Sequence, residues 1–226
     1  MSFNEKTKKR YDERLRIYGY NPKSLGWLTG KQGIRFHILT SIGKLNNSSV
    51  LDIGCGFGDL YGFLNYMKYK CNYLGLELNP NLIEYGRKRY PNADFKKFNI
   101  ETDKISGKFD WIIISGLFNF KRRKNYEFIE SSLKKAFRSC REGIGIDFLS
   151  SYVDFKNKDA CYVSPEKILK ICKKLSKRIV VRHDYLPFEF CVYIYKNQTI
   201  TKDNSFKEVT ESLKPELRTN KWLKTD

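Results

Sequence analysis

With 226 residues, 41% of them hydrophobic, the chain can bury one sizeable core. No run of about 18 apolar residues occurs, which argues against a membrane-spanning helix, and a charged beginning without an apolar leader core points to a cytoplasmic protein. Six scattered cysteines without a CxxC pair, and only two histidines, argue against a metal cluster, while the net charge of +18 fits either an anionic partner such as RNA, DNA or anionic lipid or a surface simply coated with lysine.

Residues 4–17 are charged and read as a helix, with Tyr11, Leu15 and Tyr18 as packing residues. Asn21-Pro22 and Gly26 mark a break. Residues 31–43 form a second helix through Ile34, His37, Ile38 and Ile42, so residues 1–47 are expected to be a helical cover. Val50–Ile53 is the first strand, and it runs into Gly54-Cys55-Gly56-Phe57-Gly58. A helix over 59–68 follows, with Leu60, Phe63, Leu64 and Met67 at helical spacing. Glycines at a strand-to-helix junction permit a tight turn and a close approach of backbone to a ligand of nucleotide size.

Tyr73–Leu78 is the second strand, and Asn81–Tyr90 a helix begun near Pro80 with Asn79 as its cap. Ala93–Phe98 and Phe109–Ile114 are the third and fourth strands. Tyr126, Ile129, Leu133, Ala136, Phe137 and Cys140 line one face of a long helix, and Gly143–Leu149 is the fifth strand. Ser164 caps a helix over Pro165–Leu175; Lys167 occupies the position where a capping box needs Glu or Gln, so the cap is a plain serine. Ile179–Arg182 and Phe188–Tyr195 are the sixth and seventh strands. Helices or long crossovers separate the earlier strands, as parallel pairing requires, but the last two are too close for a crossover and must be antiparallel. The expected fold class is α/β: a doubly wound, mostly parallel, seven-stranded sheet over residues 48–196, followed by a polar tail, 197–226.

These features resemble the class I S-adenosylmethionine-dependent methyltransferases. Val50-Leu51-Asp52-Ile53-Gly54-Cys55-Gly56-Phe57-Gly58-Asp59-Leu60 is similar to their first glycine-rich motif, and Leu74-Gly75-Leu76-Glu77-Leu78-Asn79-Pro80 to their ribose-binding segment. The resemblance implies a Rossmann-like fold with strand order 3-2-1-4-5-7-6 and S-adenosyl-L-methionine as cofactor. A dinucleotide fits less well, because its GxGxxG loop holds a pyrophosphate that Asp59 would repel, whereas a sulfonium would suit that charge.

By the same resemblance Asp52 positions the loop, and Gly54, Cys55 and Gly56 bring it against the nucleoside and amino-acid parts. Glu77, followed by Leu78, accepts the ribose hydroxyls. The structural alternatives are that Asp52 accepts backbone N–H bonds and that Glu77 caps the next helix. Asn99 and Ile100 stand where the family often has an acid and an apolar residue against adenine; an amide oxygen still accepts from the adenine amino group. Ser115, with Gly116 and Leu117, lies where cofactor and acceptor meet, or serves as a turn residue.

Transfer from a sulfonium is an in-line displacement by an activated donor, so alignment carries much of the catalysis. A base is needed only where the acceptor must lose a proton. Acceptor-side candidates lie at the carboxyl ends of the strands: Asn119, Tyr152, Asp154, and His183, Asp184 and Tyr185 between the last two strands. His183 is the best available base, with Tyr185 and Tyr152 as further catalytic candidates; each also suits a structural role. If the sixth strand continues through His183 and Asp184, they face opposite sides. Tyr11, Trp27 and Arg35 would close the site from the N-terminal side, with Arg35 matched to the cofactor carboxylate. No Asn/Asp-Pro-Pro-aromatic run and no Pro-Cys dipeptide occurs, unlike DNA amino- and C5-methylating enzymes. Lys121-Arg122-Arg123-Lys124 suits phosphate contacts or an exposed face. The expected activity is methylation of O or N of a small molecule; the alternative is an RNA (tRNA or rRNA) methyltransferase, and a third reading is a basic binding protein without turnover.

Overall fold

The strongest apolar runs become the middle of a sheet. The computed structural model describes residues 2–27, 30–202 and 204–213. In it β1 (Ser49–Ile53), β2 (Asn72–Glu77), β3 (Asp94–Lys97), β4 (Phe109–Ile114) and β5 (Cys140–Ser150) are parallel. A two-residue β6 (Tyr162–Val163) pairs parallel with the end of β5. The hairpin of β7 (Ile179–Leu186) and β8 (Glu189–Tyr195) lies beyond it, with β8 antiparallel to β5 and inserted between β5 and β7. The order is β3-β2-β1-β4-β5-β8-β7. This is the expected topology with one strand more, since β6 is too short to carry a period-two signal.

Helices cover both faces. On one side, α5 (Asn125–Ser139) and α6 (Pro165–Lys173) bury Ile129, Leu133, Ala136, Ile168 and Cys172 against the strands. On the other, α2 (Gln32–Thr40) and α3 (Asp59–Tyr66) bury Leu39, Leu60 and Leu64. Each leucine or isoleucine among them contributes about 1.5–3 kcal/mol by leaving water. Between β2 and β3 runs α4 (Pro80–Arg89), with Asn79 accepting from Asn81 N as the predicted cap. Helix α5 passes into β5 without a loop, so Cys140, expected on the helix face, begins the strand.

The first helix, α1 (Phe3–Tyr18), starts at a capping box in which Ser2 Oγ accepts from Glu5 N and the Glu5 carboxylate accepts from Ser2 N. A 3-10 turn (Pro22–Leu25) leads from it towards α2. The described part of the tail carries a short helix, α7 (Lys207–Ser212), tied to the start of β7 by an Arg178–Glu208 ion pair; residues 214–226 lie outside the described residues. All six cysteines are free. Among the described residues there is no metal-binding cluster and no helix long and apolar enough to cross a membrane.

Candidate active site

The parallel register of β1 and β2 sets Ile53 beside Leu76, so the chain leaving β1 arrives at the end of β2. There Gly54 N and Cys55 N both donate to Leu76 O, at 2.8 and 3.1 Å. Gly56 N donates to Glu77 Oε2 at 3.0 Å, and Asn79 N to Oε1 of the same carboxylate at 2.8 Å. Gly56 has φ +57°, and a Cβ there would lie 3.0 Å from Leu25; the position calls for glycine twice over. Glu77 is buried, which pushes its carboxyl above the usual range despite the two N–H bonds. Burial likewise pushes Asp52 up to about 7, although it accepts from the Tyr73 hydroxyl at 2.8 Å.

Helix α1 lies across these strand ends. Asp12 accepts from the side chains of Asn79 and Asn81, at 2.8 and 2.9 Å, and Asn4 reaches Asn99 at 3.5 Å. Farther along the sheet, Asp147 of β5 accepts from Ser115 Oγ and from Gly116 N, each at 2.7 Å. Burial pushes Asp147 up to about 6. Gly116 has φ +71°, and a Cβ there would come 2.8 Å from the Trp27 ring. The Arg35 guanidinium sits 4.2 Å from the centre of that ring and grips Glu189 with two hydrogen bonds. Burial alone would lower the Arg35 pKa, but the Glu189 pair outweighs it and raises it.

Between α1 and the strand ends lies a cavity of about 400 Å³. Asp52, Gly54, Cys55, Gly56, Glu77, Leu78, Asn99, Ile100 and Ser115 all line it, as do Tyr11, Trp27, Arg35 and Asn119. The Oδ1 of Asn119 is buried there without a hydrogen-bond partner. The cavity suits a nucleoside-sized ligand along the strand ends and a second small molecule beside Ser115 and Trp27.

Six expected site residues lie elsewhere: Asp59, Tyr152, Asp154, His183, Tyr185 and Asp184, which pairs with Arg182. Asp59 is not in the wall; its carboxylate accepts from Tyr20 Oη at 2.7 Å and Gln32 Nε2 at 3.3 Å, pinning the N-terminal cover to the first turn of α3. The expected loop at 183–185 is strand, because β7 continues to Leu186. His183 is therefore exposed, packed edge-on against Phe190 and beside Tyr152. Tyr152 is 59% exposed and bonds Glu166. The Tyr185 hydroxyl is buried without a partner, outside the cavity wall. Arg35, matched in sequence to a cofactor carboxylate, is committed to Glu189.

The residues not foreseen are Arg10 and Arg14, which line the cavity one turn apart on α1. Ser2-x-x-Glu5 announces that helix, but nothing local says which face meets the sheet. Arg10 lies 4.4 Å from the centre of the Phe120 ring, with only an exposed 3.9 Å contact to Asp159. Arg14 makes no ion pair among the described residues.

The family model for a methyltransferase domain matches residues 50–143. A putative methyltransferase of Mycobacterium tuberculosis is 30% identical over 158 residues, spanning 66% of this chain and 93% of that protein. Among solved structures, magnesium protoporphyrin IX methyltransferase from Synechocystis, with bound SAH, superposes with a TM-score of 0.63 at 13% identity, covering 87% of this chain and 96% of that one. A TehB-like SAM-dependent methyltransferase from Corynebacterium glutamicum gives 0.58 at 18% identity, covering 85% and 98%.

Proposed function

The chain belongs to the class I S-adenosylmethionine-dependent methyltransferases, and from that premise we propose that it methylates an oxygen or nitrogen of a small molecule held beneath α1. The observation that carries this is Glu77: buried in the cavity wall, with both oxygens fixed by Gly56 N and Asn79 N, it presents its remaining lone pairs where a ribose would lie. The glycine backbone at 54–56 leaves the room a nucleoside needs, so the residues present fit S-adenosylmethionine. That cofactor, when bound, supplies an activated methyl group on a sulfonium.

The remaining roles follow from position. Asp52 would balance the positive end of the cofactor, and Asn99, whose Oδ1 already accepts from Glu101 N at 3.0 Å and Asn4 Nδ2 at 3.5 Å, would flank the adenine beside the apolar walls of Leu78 and Ile100. Arg14, which has no ion pair among the described residues, takes the carboxylate in place of Arg35. Ser115 and Gly116, held by Asp147, fix the wall where the acceptor enters. Trp27 covers that wall and excludes water.

Closure by α1 supports a small acceptor. The basic run beside the site supports RNA less than its sequence suggested, since Arg122 is paired with Glu101 and stacked on Phe128 and Phe3. The test is titration calorimetry with S-adenosylhomocysteine, then labelled methyl transfer into a fractionated lysate with and without nuclease. Heat of binding and label in small molecules are expected. Nuclease-sensitive label would refute the small acceptor, and absence of heat would refute the cofactor site.

A further inference from the structure

We propose that the acceptor is a small carboxylic acid with an apolar body, and that the chain methylates its carboxylate oxygen to give a methyl ester. This rests on the methyltransferase reading above and names the acceptor of that same site.

The first ground is the charge of the cavity. Its carboxylates are Asp52, Glu77 and Glu189: Glu189 is paired with Arg35, Glu77 is held by two backbone N–H groups at the ribose position, and Asp52, bonded by the Tyr73 hydroxyl, answers the positive end of the cofactor, so none is left for the acceptor. Arg122 is likewise spent on Glu101. Lys8, Arg10 and Arg14 also line the cavity, and none has a buried acid partner. With Arg14 given to the cofactor, Arg10 and Lys8 leave an unbalanced positive field. An ammonium would be repelled by it and a carboxylate drawn in.

The second ground is the missing base. Among the described residues no histidine lines the cavity. Glu189 is clamped in its pair with Arg35, Asp52 is buried, bonded by the Tyr73 hydroxyl and set against the positive end of the cofactor, and burial raises the Tyr11 hydroxyl far from a useful range. An alcohol, a phenol or a protonated amine would need a proton removed. A carboxylate, with an ordinary pKa of about 4, needs none.

The step then balances without a proton. A lone pair on the carboxylate oxygen forms the bond to the methyl carbon as the carbon–sulfur bond breaks, and its electron pair stays on sulfur as the neutral thioether. The anion becomes a neutral ester, which Arg10 no longer attracts and which leaves. Leu117, Phe120, Leu149 and Ala160 give the body of the acid an apolar wall.

The experiment uses the whole chain with methyl-labelled S-adenosylmethionine. Lysate small molecules are divided by ion exchange into acidic, neutral and basic fractions, and a panel of benzoic, cinnamic and octanoic acids is run beside their amides and amines. The acidic fraction should take up at least about tenfold more label than the others, and alkali should release that label as volatile methanol. Arg10→Ala should raise KM for the acid by about tenfold, the loss of one charge-assisted contact. Arg10→Lys should recover part of the loss, and S-adenosylhomocysteine affinity should stay within about twofold of wild type. Alkali-stable label, or label in the neutral or basic fraction, overturns the acid and leaves the methyltransferase reading standing. No label in any fraction overturns both the acid and the small acceptor, while the calorimetric heat separately decides the cofactor site.

Discussion

The floor and the roof of the cavity are built on opposite plans. On the floor, at the strand ends, polar groups are spent on the protein itself: Glu77 on Gly56 and Asn79, Asp52 on Tyr73, Asp147 on Ser115 and Gly116. Such groups cost nothing to organise when a ligand arrives. On the roof, Arg14 has no ion pair among the described residues and Arg10 only a long exposed one, while Asn119 Oδ1, on a residue lining the same cavity, has no hydrogen-bond partner. Groups left unmatched in this way are available for recognition. Floor variants should therefore damage binding of the cofactor and the fold together, whereas on the roof an Arg14 variant should weaken binding of the cofactor and an Arg10 variant should change acceptor use alone.

Glu77→Ala should break the floor most completely. It removes the acceptor of two buried N–H groups and the ribose contact at once, a loss of about 3 kcal/mol or more. S-adenosylhomocysteine affinity by calorimetry should fall at least about a hundredfold. A fall of less than about tenfold would mean that the floor is not where the cofactor is held. Gly116→Ala tests the seam between the two regions. The positive φ and the 2.8 Å approach to Trp27 should together cost about 1–3 kcal/mol. A Tm drop of several degrees should accompany a larger fall in kcat than in cofactor affinity. An unchanged Tm would show that Trp27 yields freely.

Asp52→Asn gives a smaller, pH-dependent effect. The carboxyl is pushed up to about 7 in the folded protein by burial, against about 4 in an unfolded chain. The folded state therefore holds the proton more tightly. The stability this provides is complete below about pH 4 and is lost as pH rises through 7. Asparagine carries no such cost, so the ligand-free variant should gain Tm relative to wild type between pH 5 and pH 8, while binding the cofactor more weakly. A Tm difference that is flat across that range would show that Asp52 does not titrate there.

The floor was legible because its signals are local. A strand, three alternating glycines and an acid at the end of the next strand lie within thirty residues (Val50 to Glu77), and parallel pairing brings them together by register alone. The hairpin that reverses β8 was legible from the shortness of its connection. The roof was not, because α1 meets the sheet through contacts such as Asp12 with Asn79 and Asn4 with Asn99, separated by 67 and 95 positions. Amphipathic spacing shows that α1 has a face, and says nothing of which strand ends it covers. Asp59 misled for a related reason: it is adjacent to the loop in sequence, but the first turn of α3 carries its side chain to Tyr20 and Gln32.

The smallest effect is expected at the residue that looked most catalytic. The apolar run before His183 stops at Val181, which reads as the end of a strand, yet β7 continues to Leu186 as the outermost strand of the sheet. An edge strand with one face open to solvent tolerates polar residues, so Arg182, His183 and Asp184 extend it without an apolar signature. Arg182 and Asp184 pair with each other, and His183 packs against Phe190. His183→Ala should therefore lose two ring contacts of an exposed side chain, with Phe190 and Tyr152, together worth less than about 1 kcal/mol, and leave kcat, KM and cofactor affinity within about twofold of wild type. If kcat falls tenfold or more while Tm holds, a base reaches the acceptor from the sheet edge, and the division of labour between floor and roof fails.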